Sequence, residues 1–265
     1  VRSRRQRQMC IRDSNYRGIF ILMIVRSILE KMIYNDNYED IDEEMSESNV
    51  GARKRRNIRD HLFVMNSVIN DIKNGKGESC HISVLDIVKC FDKMWLKEVM
   101  NDLYDVKMNN DQLSLLYNLN KKSKVAVKTA CGITDRMEMN EIVLQGGVWG
   151  PLECSVQIDS LGKESLSDIK DLYKYKGMVS LPPLAMIDDI AAISKCGVES
   201  IIMNSKINAK IESKRLELGK DKCLDLHVGE NNSFCPTLKV HDDDMLKAEE
   251  TKYLGDWITV DGSNN

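Results

Sequence analysis

Proline is scarce, with four residues in 265, too few for proline-rich linkers between loosely tethered domains. No CxxC pair occurs, and none of the eight cysteines (10, 80, 90, 131, 154, 196, 223 and 235) joins a histidine at zinc-ligand spacing. Scattered cysteines of this kind predict buried thiols in an intracellular, reducing compartment rather than a disulfide framework; nucleus and cytoplasm both stay open. Long hydrophobic runs are missing too. The longest, Ile19–Val25, is seven residues between Arg17 and Arg26, far short of a bilayer span. The basic N-terminus is not followed by the apolar segment and small-residue cleavage site of a signal peptide, and no membrane partner is expected. Nor is there an excess of one charge: 38 Lys and Arg against 41 Asp and Glu give −3, which excludes gripping a polyanion by bulk charge but permits a local basic patch. What is present is 42% hydrophobic and 30% charged residues, the balance of a folded chain with one large domain or two small ones.

The first residues, 1–14, show no apolar periodicity and resemble a translated sequencing adapter. They also read as a basic arm for nucleic acid, but functional reasoning starts at Asn15. They hold five Arg and one Asp, so the remainder carries −7 rather than −3. Apolar residues at 21, 22, 25, 28, 29, 32 and 33 predict a helix. An acidic segment of seven carboxylates, Asp36–Glu47, follows it, and then the basic cluster Arg53–Arg56. A second helix is predicted over 61–72, closed by the turn Asn74–Gly77. Residues 81–88 are apolar on both faces, the pattern of a central strand. A helix is expected over 95–119, with extended segments at 124–128 and 137–144. The glycine-rich loop 145–151 follows, with Pro151 suited to a helix start. Two short apolar runs joined by Asp188-Asp189 span 184–193. A helix over 198–218 and strands over 223–228 and 252–260 complete the chain. Strands and helices mix without regular alternation, which predicts an α+β fold.

Three aspartates carry the chemical signal. Asp86 interrupts Val84-Leu85-Asp86-Ile87-Val88, and Asp188-Asp189 interrupts Ala185–Ile193. A carboxylate in an apolar strand is costly unless paired or metal-bound, and adjacent carboxylates repel. Each alone reads more readily as a lysine-paired group or a polar hairpin turn. Together, with no His/Cys alternative, they suit hard divalent cations such as Mg²⁺.

The order of motifs resembles the reverse-transcriptase family, most closely that of non-LTR (LINE-like) retrotransposons. Asp86-Ile-Val-Lys-Cys-Phe-Asp92 is similar to its first catalytic motif, Gln145-Gly146 through Gly150-Pro151 to its second, and Met186-Ile-Asp188-Asp189 to its paired-aspartate hairpin. Lys220-Asp-Lys222-Cys223 is similar to the lysine motif, and Tyr253-Leu254-Gly255 with Trp257-Ile258 to the primer grip. Asn15–Ile19 and Gly51–Arg55 resemble fingers motifs. The resemblance implies a right-hand polymerase: partial fingers over 15–78, palm with remaining fingers elements over 79–250, and a primer-grip-like hairpin over 251–265. The chain stops where the family's thumb would begin, so a fragment is expected.

The resemblance also implies roles. Asp86 and Asp188 would hold two Mg²⁺ ions (Mn²⁺ as a substitute), with Asp189 assisting and the Ile87 carbonyl completing the ligands. Phe91 would lie under the incoming sugar and exclude a 2′-OH. Gln145 and Gly146 would line the nucleotide and template, Arg53 and Arg55 would meet the triphosphate, and Lys222, with Lys220 as competitor, would protonate the leaving pyrophosphate. RNA template, DNA primer and dNTPs are the implied partners; oligomeric state is open. Three departures from the family pattern stand out: Met186-Ile187 before the paired aspartates, Gly150 before Pro151, and Cys90 before Phe91. They bear on pocket packing more than on metal binding. The competing reading is an inactive retrotransposon relic, or a remnant that binds nucleic acid without catalysis.

Overall fold

A computed structural model describes residues 20–139, 143, 146–166, 172–229, 239–240 and 243–260. Seven helices are described: α1 (Ile24–Glu44), α2 (Ile58–Lys73), α3 (Cys90–Lys93), α4 (Leu96–Asp105), α5 (Asn110–Asn120), α6 (Gly150–Leu166) and α7 (Gly197–Ser213). The strands that matter here are β1 (Cys80–Asp86), β2 (Leu184–Met186), β3 (Asp189–Ser194), β4 (Leu224–Val228), β5 (Leu246–Lys247), β6 (Glu250–Tyr253) and β7 (Asp256–Thr259). Short two-stranded ribbons account for the rest. No helix among the described residues is long and apolar enough to cross a membrane.

Five strands form the central sheet in the order β5-β4-β1-β3-β2, antiparallel except for β4 with β5. β1 is its middle strand, as apolar residues on both faces predicted. Successive side chains of a strand point to opposite faces. Ile82 and Val84 accordingly enter one core with Met65, Val68 and Ile69 of α2 and with Tyr253 and Ile258 of the β6–β7 hairpin. Leu85 enters the other, with Leu96 and Val99 of α4, Leu152 and Val156 of α6, and Ile207 and Ile211 of α7. The sheet is therefore clad on both faces, and its free end carries Asp86.

Several predicted boundaries shift for identifiable reasons. α2 starts before His61, because Asn57 and Asp60 form a capping box ahead of it. The helix expected over 95–119 is two helices, broken by Lys107 at φ +63° and restarted by Asn109, whose side chain accepts from the amides of Asp111 and Gln112. The helix from 198 ends at Ser213, followed by Arg215 at φ +60°. α1 runs on through most of the acidic segment, to Glu44. Its orientation also differs from the apolar stripe: Glu30, Ile33, Asn37, Tyr38 and Ile41 are buried, while Ile24, Val25, Ile28 and Met32 stay exposed.

Candidate active site

The sheet register brings the acidic residues together. Asp86 at the end of β1 lies directly opposite Asp189 at the start of β3, and Asp189 in turn pairs with Met186 across the two-residue turn Ile187-Asp188. Directly opposed residues of an antiparallel pair share a face, so Asp86 and Asp189 are neighbours by construction. Asp188 is held at the turn by its own carbonyl, which accepts the Ile87 amide at 3.2 Å. Ile87, expected as a main-chain ligand, is thus fixed against this turn. Ile187 takes φ +56°, a left-handed conformation that a β-branched side chain adopts at a cost.

Lys222 completes the cluster. Its ammonium lies 2.9 Å from both carboxylate oxygens of Asp86. The turn that presents it begins at Gly219, whose amide donates to the Asp86 carbonyl at 2.8 Å and whose carbonyl accepts from Lys222 and Cys223. Of the two candidate lysines, Lys222 is the one seated on Asp86.

Half-burial, then the charges of Asp188 and Asp86, raise the Asp189 carboxyl to about 6, against a smaller opposing pull from Lys222. Among the described residues no three Asp, Glu, His or Cys side chains converge as a ready-made metal cage. What the register sets side by side is a pair of opposed carboxylates with a lysine seated on one of them, and the adjoining turn carries a third aspartate. The donor chemistry, hard carboxylate oxygens whose like charges already burden one another, fits a hard divalent cation.

The Asp189 shift carries a pH signature. A carboxyl raised in the folded state binds its proton more tightly there, so stability falls as pH rises from the unfolded value near 3.8 through about 6. Asp189→Asn removes that burden. It should stabilise the chain at pH 7.5 by about 1 kcal/mol, two pKa units discounted for solvent screening, with the gain fading by pH 4. Urea melts of both proteins at the two pH values measure this; a pH-independent difference would contradict it.

The remaining site residues separate into groups. Phe91 is half-buried and packs against the core, one residue after Cys90, whose Sγ lies 3.1 Å from that of Cys154 in α6. Gln145 lies outside the described residues. Gly146 is exposed at φ +118°, and a Cβ there would come within 2.4 Å of the Phe20 carbonyl oxygen, so only glycine fits. Arg53 is not an open phosphate ligand in this structure. It is 7% exposed, and four of its five N–H donors are engaged by Asp42 (side chain and carbonyl), Ser46 and Asn49. Arg55 is exposed, with φ +62°. Tyr253 is buried, its hydroxyl 3.3 Å from His61 Nδ1 and its ring stacked on the imidazole; burial, then the Asp189 charge, push its phenol up. Leu254 and Gly255, both at positive φ, form the tip of the β6–β7 hairpin.

Some supporting residues carried no sequence signal. Glu30 accepts the Val148 amide at 3.3 Å through its carboxylate and the Trp149 indole at 3.0 Å through its carbonyl, tying the glycine-rich loop to α1. Asn49 and Ser155 bond each other behind the paired aspartates. Only Asn49 could have been noticed, as an Asn two residues before a Gly in a turn-like stretch.

This is the sheet and acidic turn of a polymerase palm with fingers elements. The sequence profile of the family described as reverse transcriptase (RNA-dependent DNA polymerase) matches residues 10–258, and the chain belongs to that family. Solved structures with the same fold include apo telomerase from Candida tropicalis, at 9% identity and TM-score 0.60, over 87% of this chain and 39% of that one. Another is telomerase from Candida albicans with the TWJ fragment of telomeric RNA, at 13% identity and TM-score 0.55, over 90% and 37%. A Candida tropicalis telomerase truncated from its C-terminal domain matches at 13% identity and TM-score 0.54, over 89% and 43%. The chain thus spans less than half the length of these structures. A comparison with curated proteins finds no match.

Proposed function

We propose that the chain is the polymerase region of a non-LTR (LINE-like) reverse transcriptase, extending a DNA primer on an RNA template with dNTPs. The observation that carries this is the in-register pairing of Asp86 with Asp189 beside the Asp188 turn, with Lys222 on Asp86. The seven motifs in family order support the LINE-like assignment. Asp86, Asp188 and Asp189 would hold two Mg²⁺ ions, with Ile87 contributing its carbonyl. Bound there, the metals would supply charge neutralisation to phosphoryl transfer. Lys222 would move onto the leaving pyrophosphate and donate its proton. Phe91 would pack under the sugar, Gln145 and Gly146 would flank the base pair, and the exposed Arg55 would meet the triphosphate with Arg53 bracing its loop. Tyr253 would anchor the grip, leaving Leu254-Gly255 toward the primer. Free thiols at Cys80, Cys90, Cys131, Cys154, Cys196 and Cys223 support an intracellular, reducing location.

The test is single-turnover primer extension by the 265-residue chain. Extension should require the RNA template, dNTPs and Mg²⁺, and should vanish with Asp188→Ala. Failure to extend favours the relic, whereas extension that survives the substitution refutes the assignment of Asp188.

A further inference from the structure

The segment Ser48–Gly51 runs alongside β2 as an extra, parallel strap. The Val50 amide donates to the Ala185 carbonyl at 3.0 Å, and the Ala185 amide to the Ser48 carbonyl at 2.9 Å. These bonds grip the catalytic hairpin one residue before Met186. Two side chains lock the strap to α6. Asn49 Nδ2 donates to the Ser155 carbonyl at 2.9 Å, and the Ser155 hydroxyl lies 2.9 Å from Asn49 Oδ1 and 2.6 Å from the Gly51 carbonyl oxygen. Asn49 Oδ1 also accepts the Gly51 amide at 2.9 Å. Asn49 and Ser155 are each no more than 1% exposed, so these polar contacts are sheltered from water.

The strap approaches the strained turn closely. A Cβ on Gly51 would lie 2.8 Å from the Ile187 amide nitrogen and 2.8 Å from Ser155 Oγ, so any larger residue must displace one of them. A second anchor holds the other end. Ser48's carbonyl also lies 2.9 Å from His61 Nε2, and His61 Nδ1 faces the Tyr253 hydroxyl. A left-handed β-branched residue persists only where its surroundings over-determine it, and here those surroundings are the strap.

We propose that Ser48–Gly51 is a positioning strap for the paired-aspartate turn, and that Asn49 and Ser155 are positioning residues that set Asp188 and Asp189 against Asp86. This rests on the polymerase reading above. The strap touches no substrate; it fixes the backbone from which two carboxylates project. Its effect is that of a supporting shell, whose loss weakens metal affinity without removing a ligand.

The experiment is Mn²⁺ titration of the 265-residue chain followed by electron paramagnetic resonance, a readout independent of turnover. Wild type, Asp86→Asn, Gly51→Ala, Ser155→Ala and a core control, Val68→Ala, are compared, each with its melting temperature. Gly51→Ala should weaken Asp86-dependent Mn²⁺ binding about tenfold and Ser155→Ala severalfold. Val68→Ala should leave it within twofold of wild type despite a comparable loss of melting temperature. Should Gly51→Ala fail to fold, Ser155→Ala decides. Wild-type affinity in the strap variants overturns the strap while leaving the metal reading intact. The same holds if Val68→Ala weakens binding as much as they do. Wild-type binding that Asp86→Asn does not reduce overturns the metal reading, and the strap with it.

Discussion

Asp86→Asn is expected to abolish RNA-templated primer extension, lowering the single-turnover rate about a thousand-fold or more. The substitution keeps the shape of the side chain and removes its charge. Charge neutralisation at a transferring phosphoryl group is worth several kcal/mol, and roughly 4 kcal/mol corresponds to three powers of ten. The fold should survive. Asp86 loses only its pair with Lys222, a largely exposed partner whose contribution to stability is small, and Asp189 is relieved of a like charge across the sheet. Lys222→Met provides the companion measurement. Loss of a general acid lowers rates by about 10²–10⁴ and flattens the alkaline limb of the pH profile. Lys220→Met should leave both unchanged, because the Gly219 turn directs Lys222 to Asp86. More than a tenth of the wild-type rate in Asp86→Asn would sink the assignment.

The three aspartates were legible because charge stands out in an apolar strand. Their mutual placement needed the long-range β1–β3 register as well, because the hairpin at Ile187-Asp188 sets only the pairing of β2 with β3. β1 was legible as a central strand because apolar residues lie on both of its faces, Ile82 and Val84 on one and Leu85 on the other. α1 was not. Its periodicity pointed Val25, Ile28 and Met32 inward, yet the buried stripe contains Glu30 and Asn37. Those polar residues are buried because distant partners satisfy them. Glu30 receives Val148 and Trp149, and Asn37 receives the Asn109 amide at 3.0 Å. Hydrophobic periodicity registers only local spacing, so it cannot see bonds across some seventy to 120 residues. The Asn49–Ser155 lock, 106 residues apart in sequence, was hidden for the same reason. Lys220 and Lys222 were equivalent in the sequence, and the Gly219 turn that seats Lys222 on Asp86 is visible only in the fold.

Arg53 shows how a motif residue can have two incompatible expectations, and stability separates them. As an open triphosphate ligand it could be replaced with little effect on folding. As placed, it holds together the end of α1 and the strap: its guanidinium reaches Asp42 Oδ1 at 2.6 Å and the carbonyls of Asp42, Ser46 and Asn49 at 2.8, 2.6 and 3.0 Å. Burial pushes Asp42 up, but bonding and charge from Arg53 outweigh it and hold the carboxyl below its usual range. Arg53→Met keeps the length and apolar stem of the side chain but leaves three carbonyls and one half-exposed carboxylate without their donor. Each lost donor to a sheltered acceptor costs about 1 kcal/mol, so a total near 3 kcal/mol is expected. In a chain of this size that is a drop of about 6–12 °C in melting temperature. Arg55→Met, at an exposed position, should stay within about 0.5 kcal/mol of wild type and weaken dNTP binding instead. Calorimetry of the two variants, with dNTP titration of whichever stays folded, distinguishes the roles. If Arg53→Met melts with the wild type and loses only dNTP affinity, the arginine belongs to the nucleotide pocket and the strap is held without it.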